Sequence, residues 1–301
     1  MASRAKKHLK VLMVGNSFSK SVLTYLPKMV KADAHRISLR IRQAYIGGCT
    51  IERHLKEFDQ AMATPDYRPY LTNLPIPNAP HPWAGEWYAN LPEMLRDDAW
   101  DIVTIQQGSV HSWLPETYGA DAERLIGIIR ELAPTAEIVV HETWSYRKDA
   151  PMLEKWNITQ RQMYRRLSAA YKKLASEHHF RLIPVGDAVE LFRQAVKSPY
   201  IPLSTADRQK LIWPDLPPNA GDVVGKDFWK KNEETGEMEC HSDPIHLNPR
   251  GHYLQACIFY MFLFGRKAAD IRFFPPDFDD AVCRHLADLA EQALRNYSSQ
   301  F

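Results

Sequence analysis

Short apolar runs of strand length alternate along this chain with longer segments whose apolar residues recur at helical spacing. Residues 8–14 form the first such run, which stops at Gly15. In 37–45, Ile37, Leu39 and Ile41 alternate with Ser38, Arg40 and Arg42, the period of a strand with one polar face. That run stops at Gly47-Gly48. Residues 100–106, 137–141 and 180–185 read as three more strands. Between 120 and 133, Leu125, Ile128, Ile129 and Leu132 share one helical face, with Pro134 just beyond. Met163, Leu167, Ala170, Tyr171 and Leu174 do the same in 158–178. Thr24 is expected to cap a helix with Pro27 in its first turn. Further helices are expected at 189–196, 250–264 and 276–297. Strands and helices thus alternate about five times, which implies a parallel sheet of about five strands covered on both faces, a three-layer α/β/α sandwich.

Two segments break this rhythm. Residues 65–100 hold seven prolines between Pro65 and Pro92, with Trp83 and Trp87, and 198–240 hold five more with Trp213 and Trp229. Long irregular segments of this kind are expected to be packed lids over a site. No internal repeat is present, so the chain is expected to be a single domain, 1–301, carrying these two insertions.

Composition narrows the function. Lys plus Arg is 38 against Asp plus Glu 36, a net charge of +2. Such a balance argues against a nucleic-acid partner, which calls for a basic excess. The most apolar stretch, 256–264, is far shorter than the roughly 18 residues of a membrane span, so no membrane partner is expected. The basic start leads into an apolar run that Lys10 interrupts, which is too short for a secretory signal. Four scattered cysteines, Cys49, Cys240, Cys257 and Cys283, form no metal-binding pair and no evident disulfide framework. A cytoplasmic location is therefore expected, or a secreted one if an export signal has been trimmed.

The candidate chemistry lies on the loops that follow the strands, where parallel sheets place their sites. Gly15-Asn16-Ser17-Phe18-Ser19 follows the first strand. A serine on such a sharp turn offers both its hydroxyl, as a nucleophile, and its own N–H, as an oxyanion donor. Read alone, it is equally a capping serine in an ordinary turn. Asp243-Pro244-Ile245-His246 lies near the C-terminus. An Asp three residues before a His can fold back onto Nδ1 and leave Nε2 as a base. The alternatives are a plain polar loop, or a metal site drawn from His241, Asp243, His246 and His252 in a spacing that matches no standard zinc signature. Trp113, Trp144 and Tyr146, on the loops after the third and fourth strands, either line a pocket mouth or pack in the core. Arg147 and Lys148 are either receptors for an acidic substrate or solvated loop charges.

In combination these pieces resemble the SGNH/GDSL hydrolase superfamily, over residues 11–265. The order matches: serine after the first strand, glycine after the second, an amide residue after the third, and Asp-x-x-His near the end. The chain is more similar still to an uncharacterised subgroup with Gly-Asn-Ser-Phe-Ser as its first block, Gln106-Gln107-Gly108-Ser109 as its third, and Thr143-Trp144 after the fourth strand. The last block, His246-Leu247-Asn248 followed by Gly251-His252-Tyr253-Leu254, is similar too. The resemblance implies a flavodoxin-like SGNH hydrolase fold, with Ser17 as nucleophile, His246 as base and Asp243 as its orienter. It implies an oxyanion hole made by the N–H groups of Ser17 and Gly48. The usual third donor is an Asn that would fall at Val110, which cannot donate; Gln107 is the expected substitute, the alternative being that Gln106 or Gln107 only satisfies backbone groups at the strand end, with His111 also within reach of the site. Asn16, Trp113 and Trp144 are expected to contact substrate.

The activity so implied is that of a serine esterase acting on a small acyl ester, an O-acetylated carbohydrate above all, with no metal or organic cofactor. A lipid or thioester would suit the same machinery. The rival classes are a silent binding protein on the same scaffold, motivated by the missing Asn and the altered Asn16, and a metal-dependent hydrolase built on the histidine cluster.

Overall fold

The computed structural model describes residues 8–64, 66–75 and 87–299. Seven strands form the central sheet: β1 (His8–Gly15), β2 (Ser38–Tyr45), β3 (Tyr70–Thr72), β4 (Trp87–Ala89), β5 (Ile102–Ile105), β6 (Glu137–Glu142) and β7 (Arg181–Pro184), in the order β4-β3-β2-β1-β5-β6-β7. The five strands from β2 to β7 in that order are parallel, as the alternation implied. The two short edge strands, β3 and β4, are antiparallel additions from the first Pro-rich segment. Part of that segment, including Pro77 and Trp83, lies outside the described residues.

Helices cover both faces. Ile51–Ala63, Leu91–Arg96, Ala120–Leu132 and Gln160–His178 lie on one side. Leu26–Ala32, Val185–Ala195, Pro249–Phe264 and Asp280–Ser298 pack together on the other. The apolar stretch at 256–264 belongs to Pro249–Phe264, which is buried on nearly every side between the sheet and its neighbouring helices. No described helix is long and apolar enough to cross a membrane. Thr24 does not cap its helix: it ends a 3-10 turn, Ser21–Thr24, and the cap position falls to Tyr25, with Pro27 in the first turn as expected.

The polar face read into 37–45 is partly an interior one. Arg42 is fully buried, because a parallel central strand is covered on both sides. The terminal nitrogens of its guanidinium bond Asp97 at 2.6 Å and the carbonyls of Leu74 and Pro75. The second Pro-rich segment is more ordered than its composition suggested. After a short helix, Thr205–Gln209, it forms a hairpin of β8 (Val224–Lys231) and β9 (Met238–Leu247) outside the main sheet.

The strand order reverses at β1. Chain leaving β1 turns to β2 on one side, and chain returning from β4 enters β5 on the other. The crevice so formed at the carboxyl ends of β1 and β5 is where such sheets hold ligands.

Candidate active site

Gly15 closes β1, and Asn16 holds the turn that follows. The Asn16 amide oxygen accepts from the Phe18 N–H at 3.0 Å and from Gln106 Nε2 at 2.8 Å. Its Nδ2 donates to the Cys49 carbonyl at 3.0 Å. One buried side chain thus joins the loops after β1, β2 and β5. The approach is close: a Cβ on residue 15 would lie 2.8 Å from Ser19 Oγ and 2.9 Å from Gln106 Cδ, so only glycine fits. Ser17 is thereby fixed as the first residue of a one-turn helix, Ser17–Lys20.

Ser17 Oγ stands 2.8 Å from His246 Nε2, and His246 Nδ1 stands 2.8 Å from Asp243 Oδ2. The end of β9 folds back locally: Asp243 Oδ1 accepts the backbone N–H groups of Ile245 at 3.0 Å and His246 at 3.1 Å. Burial pushes the Asp243 carboxyl up. The bonds from the His246 ring and from the two backbone N–H groups outweigh it and hold the carboxyl well below the usual carboxylate range. An anion facing Nδ1 assigns the ring proton there and leaves Nε2 to accept from the Ser17 hydroxyl.

Two tethers from the loop after β6 hold the strand that carries Asp243 and His246. Trp144 Nε1 donates to the Ile245 carbonyl at 3.0 Å, and the Arg147 N–H donates to the Pro244 carbonyl at 2.8 Å. Trp144 also stacks on Phe18 at 4.1 Å between ring centres, and the Phe18 ring meets that of His246 edge-on. One aromatic layer therefore spans the serine turn and the histidine strand. Ser17 and His246 open onto a cleft of about 450 Å³. Gly48, next to the Cys49 whose carbonyl Asn16 bonds, is exposed at φ +63, a left-handed conformation that favours glycine; it is not among the residues lining that cleft. Among the described residues, neither the Ser17 nor the Gly48 N–H has a hydrogen-bond partner.

A family described as a domain of unknown function, DUF4886, matches residues 10–198, more than half of the 301-residue chain. The chain is a DUF4886 protein. The match takes in Ser17, Gly48 and Gln107 and stops short of Asp243 and His246. A solved DUF4886 family protein from Bacteroides uniformis is 24% identical, with a TM-score of 0.68 over 97% of this chain and 95% of its own. That likeness speaks for the fold. A protein from Slackia heliotrinireducens, provisionally assigned to the SGNH hydrolases, is 18% identical over 84% of this chain and 97% of its own, with a TM-score of 0.48. An acetylxylan esterase from Geobacillus stearothermophilus is 13% identical over 88% and 97%, also at 0.48. No curated protein matches the chain.

In this DUF4886 protein several residues expected to meet substrate are engaged elsewhere. Gln107 Nε2 donates to the carbonyl and hydroxyl of Thr117, and Oε1 accepts from the Ile51 and Gly108 N–H groups. Both amide hydrogens are committed, so Gln107 is no third oxyanion donor in this arrangement. Asn16, at 2% exposure, positions the serine turn instead of contacting substrate. Trp144 lines the cleft but is buried, with one ring face stacked on Phe18. Trp113 packs on Trp156 beneath the Arg166 guanidinium and lines a separate cleft of about 440 Å³ that shares no residue with the one at Ser17. Tyr146 is buried as well, its hydroxyl donating to Ser109 Oγ.

Arg147 is neither solvated nor open to substrate. It is fully buried, paired with Asp149 and Asp227 and stacked on Tyr200. The histidine cluster holds only in part: His246 and His252 line the one cleft, with His252 meeting Thr24, whereas His241 pairs with Glu239 on the hairpin. Among the described residues no group of three or more His, Cys, Asp or Glu is placed to hold a metal. The sequence reading passed over Lys20 and Lys226, both of which line the cleft. A signal existed for Lys20, which lies three residues after Ser17 and so shares its side of a helical turn.

Proposed function

We propose that this protein is a serine esterase of the SGNH type, hydrolysing a small acyl ester through an acyl-enzyme. The observation that carries the reading is the unbroken chain from Ser17 Oγ to His246 Nε2 and from Nδ1 to Asp243, with 2.8 Å at each contact and an open cleft at its end. In the first half-reaction Ser17 Oγ attacks the ester carbonyl carbon while His246 Nε2 takes the hydroxyl proton. The Ser17 and Gly48 N–H groups hold the oxyanion of the tetrahedral intermediate. His246 then returns the proton to the leaving alkoxide, and the acyl group stays on Ser17. Water, deprotonated by His246, attacks the acyl carbon; the intermediate collapses and restores the Ser17 hydroxyl. Asp243 stabilises the imidazolium in both halves without taking its proton. No step calls for a cofactor.

We further propose an O-acetylated carbohydrate as the ester. A cleft of this volume suits a ligand of sugar size. The exposed Thr24 hydroxyl in its lining can bond a sugar hydroxyl, whereas the Ser21 hydroxyl is committed to Gln255 and the Phe18 carbonyl. Trp113 and Trp144 lend this little support, since Trp113 lies in another cleft and Trp144 is almost fully buried. The test is p-nitrophenyl acetate turnover by wild type and Ser17→Ala, with a fluorophosphonate label read by intact mass. Turnover and a single adduct, both lost in Ser17→Ala, are expected. Turnover that survives Ser17→Ala names a different nucleophile, and no adduct with no turnover turns the reading towards a binding scaffold.

A further inference from the structure

The cleft at Ser17 carries two positive charges and no negative one. Lys20 and Lys226 line it, and none of its lining residues is Asp or Glu. Asp243 stands behind the His246 ring, on which its carboxylate is engaged. Neither lysine has an ion-pair partner among the described residues. The Lys20 ammonium lies over the Tyr45 ring at 5.2 Å, and Lys226 pairs with Asp243 only in backbone register. Four lysines elsewhere do have such partners: Lys10 with Asp98, Lys172 with Asp187, Lys173 with Glu177 and Lys210 with Asp207. The chain as a whole is nearly balanced in charge, so the excess in the cleft is local. His252, which lines the cleft beside His246, adds no charge near neutral pH. Burial, and then the charges of Lys226 and His246, push its imidazole down to about 4.

We infer that Lys20 and Lys226 select an ester whose alcohol half carries an anionic group, a carboxylate or a phosphate-like oxyanion. Lys20 lies on the helical turn that begins at Ser17 and Lys226 on β8, and both line the cleft onto which Ser17 opens. An anion held by them orients the leaving alcohol while its acyl carbon faces Ser17. Paired point charges at a cleft focus an anionic ligand and act more strongly at low ionic strength. The inference rests on the esterase reading and narrows its substrate class.

The experiment compares three acetyl esters of near-equal leaving-group basicity: 3-(4-acetoxyphenyl)propionate, (4-acetoxybenzyl)phosphonate and the neutral 3-(4-acetoxyphenyl)propanamide. At low salt, wild type is expected to favour at least one anion over the amide by about tenfold in kcat/KM, mostly through KM. The better anion names the class. The preference is expected to shrink in 0.5 M salt, to fall within about twofold in Lys20→Met/Lys226→Met, and to persist in Lys20→Arg/Lys226→Arg. Equal turnover of all three esters by wild type, or a preference that outlasts the methionine pair, overturns the inference and leaves the esterase reading standing. Turnover of none of them, with no fluorophosphonate adduct, overturns both.

Discussion

Gln107 accepts from two backbone N–H groups and gives both amide hydrogens to Thr117. Truncation at Gln107 therefore leaves the buried Ile51 and Gly108 donors unsatisfied, a cost of about 1–3 kcal/mol for each group. Gln107→Ala is expected to lower the melting temperature by several degrees. It should keep kcat for p-nitrophenyl acetate within about tenfold, where removal of a true oxyanion donor costs about 10²–10³. A hundredfold fall in kcat with an unchanged melting temperature would restore the amide to the oxyanion hole. Gly15 is constrained in the opposite sense. Gly15→Ala drives a methyl into Gln106 and Ser19, and a loss of about 1–3 kcal/mol is expected in denaturant unfolding. The sequence marked the glycine, serine, aspartate and histidine because their chemistry depends on residue type and short spacing. It could not choose between the two roles of Gln107, because the Ile51 N–H that its amide oxygen accepts lies 56 residues away in the chain.

At the scale of elements, the hairpin of β8 and β9 depends on the loop after β6. Arg147 is buried with Asp149, Asp227 and Ser242 as partners, and Trp144 bonds the Ile245 carbonyl. Removing one member of a buried charge cluster costs about 3–5 kcal/mol, because the remaining charges lose their compensation. Arg147→Met is accordingly expected to destabilise strongly by thermal unfolding. Trp144→Phe is milder: it keeps a ring to stack on Phe18 and loses only the N–H bond to the histidine strand. We expect about a tenfold loss in kcat with KM little changed, since a small misplacement of His246 is felt in the chemical step. An unchanged kcat in Trp144→Phe would show that β9 holds its position without this tether. None of this was legible from the irregular composition of 198–240, since the hairpin's partners lie in a loop many residues away.

For the molecule as a whole, the sheet interior sets a pH dependence. Glu142, at the end of β6, is fully buried with Oε1 unbonded. Burial, and then the Asp187 charge, push its carboxyl well above the usual range, against the opposing pull of Lys172. The folded protein therefore keeps this proton at pH values where the unfolded chain has lost it. Stability from this group is intact below the ordinary carboxylate pKa and declines as pH rises from there to the raised value. Glu142→Gln removes the titration and keeps an oxygen for the Asp187 N–H. The variant is expected to show a flatter melting temperature against pH through the neutral range, and an unaltered slope would refute the assignment.

The alternation of apolar runs with helical faces determined the five parallel strands and the helices on both sides, because these patterns are local and repeat over many residues. Short-range chemistry likewise determined the serine turn after β1 and the fold-back of Asp243 on His246, three residues apart. Tertiary structure decided what spacing does not encode. It joined residue 17 to residue 246, buried Trp144 and Arg147 as supports, withdrew Trp113 to another cleft, and brought Lys20 and Lys226 to one cleft. The reason is physical: burial and pairing depend on which surfaces the crossovers bring together, and a side chain's role follows from its partners as much as from its type.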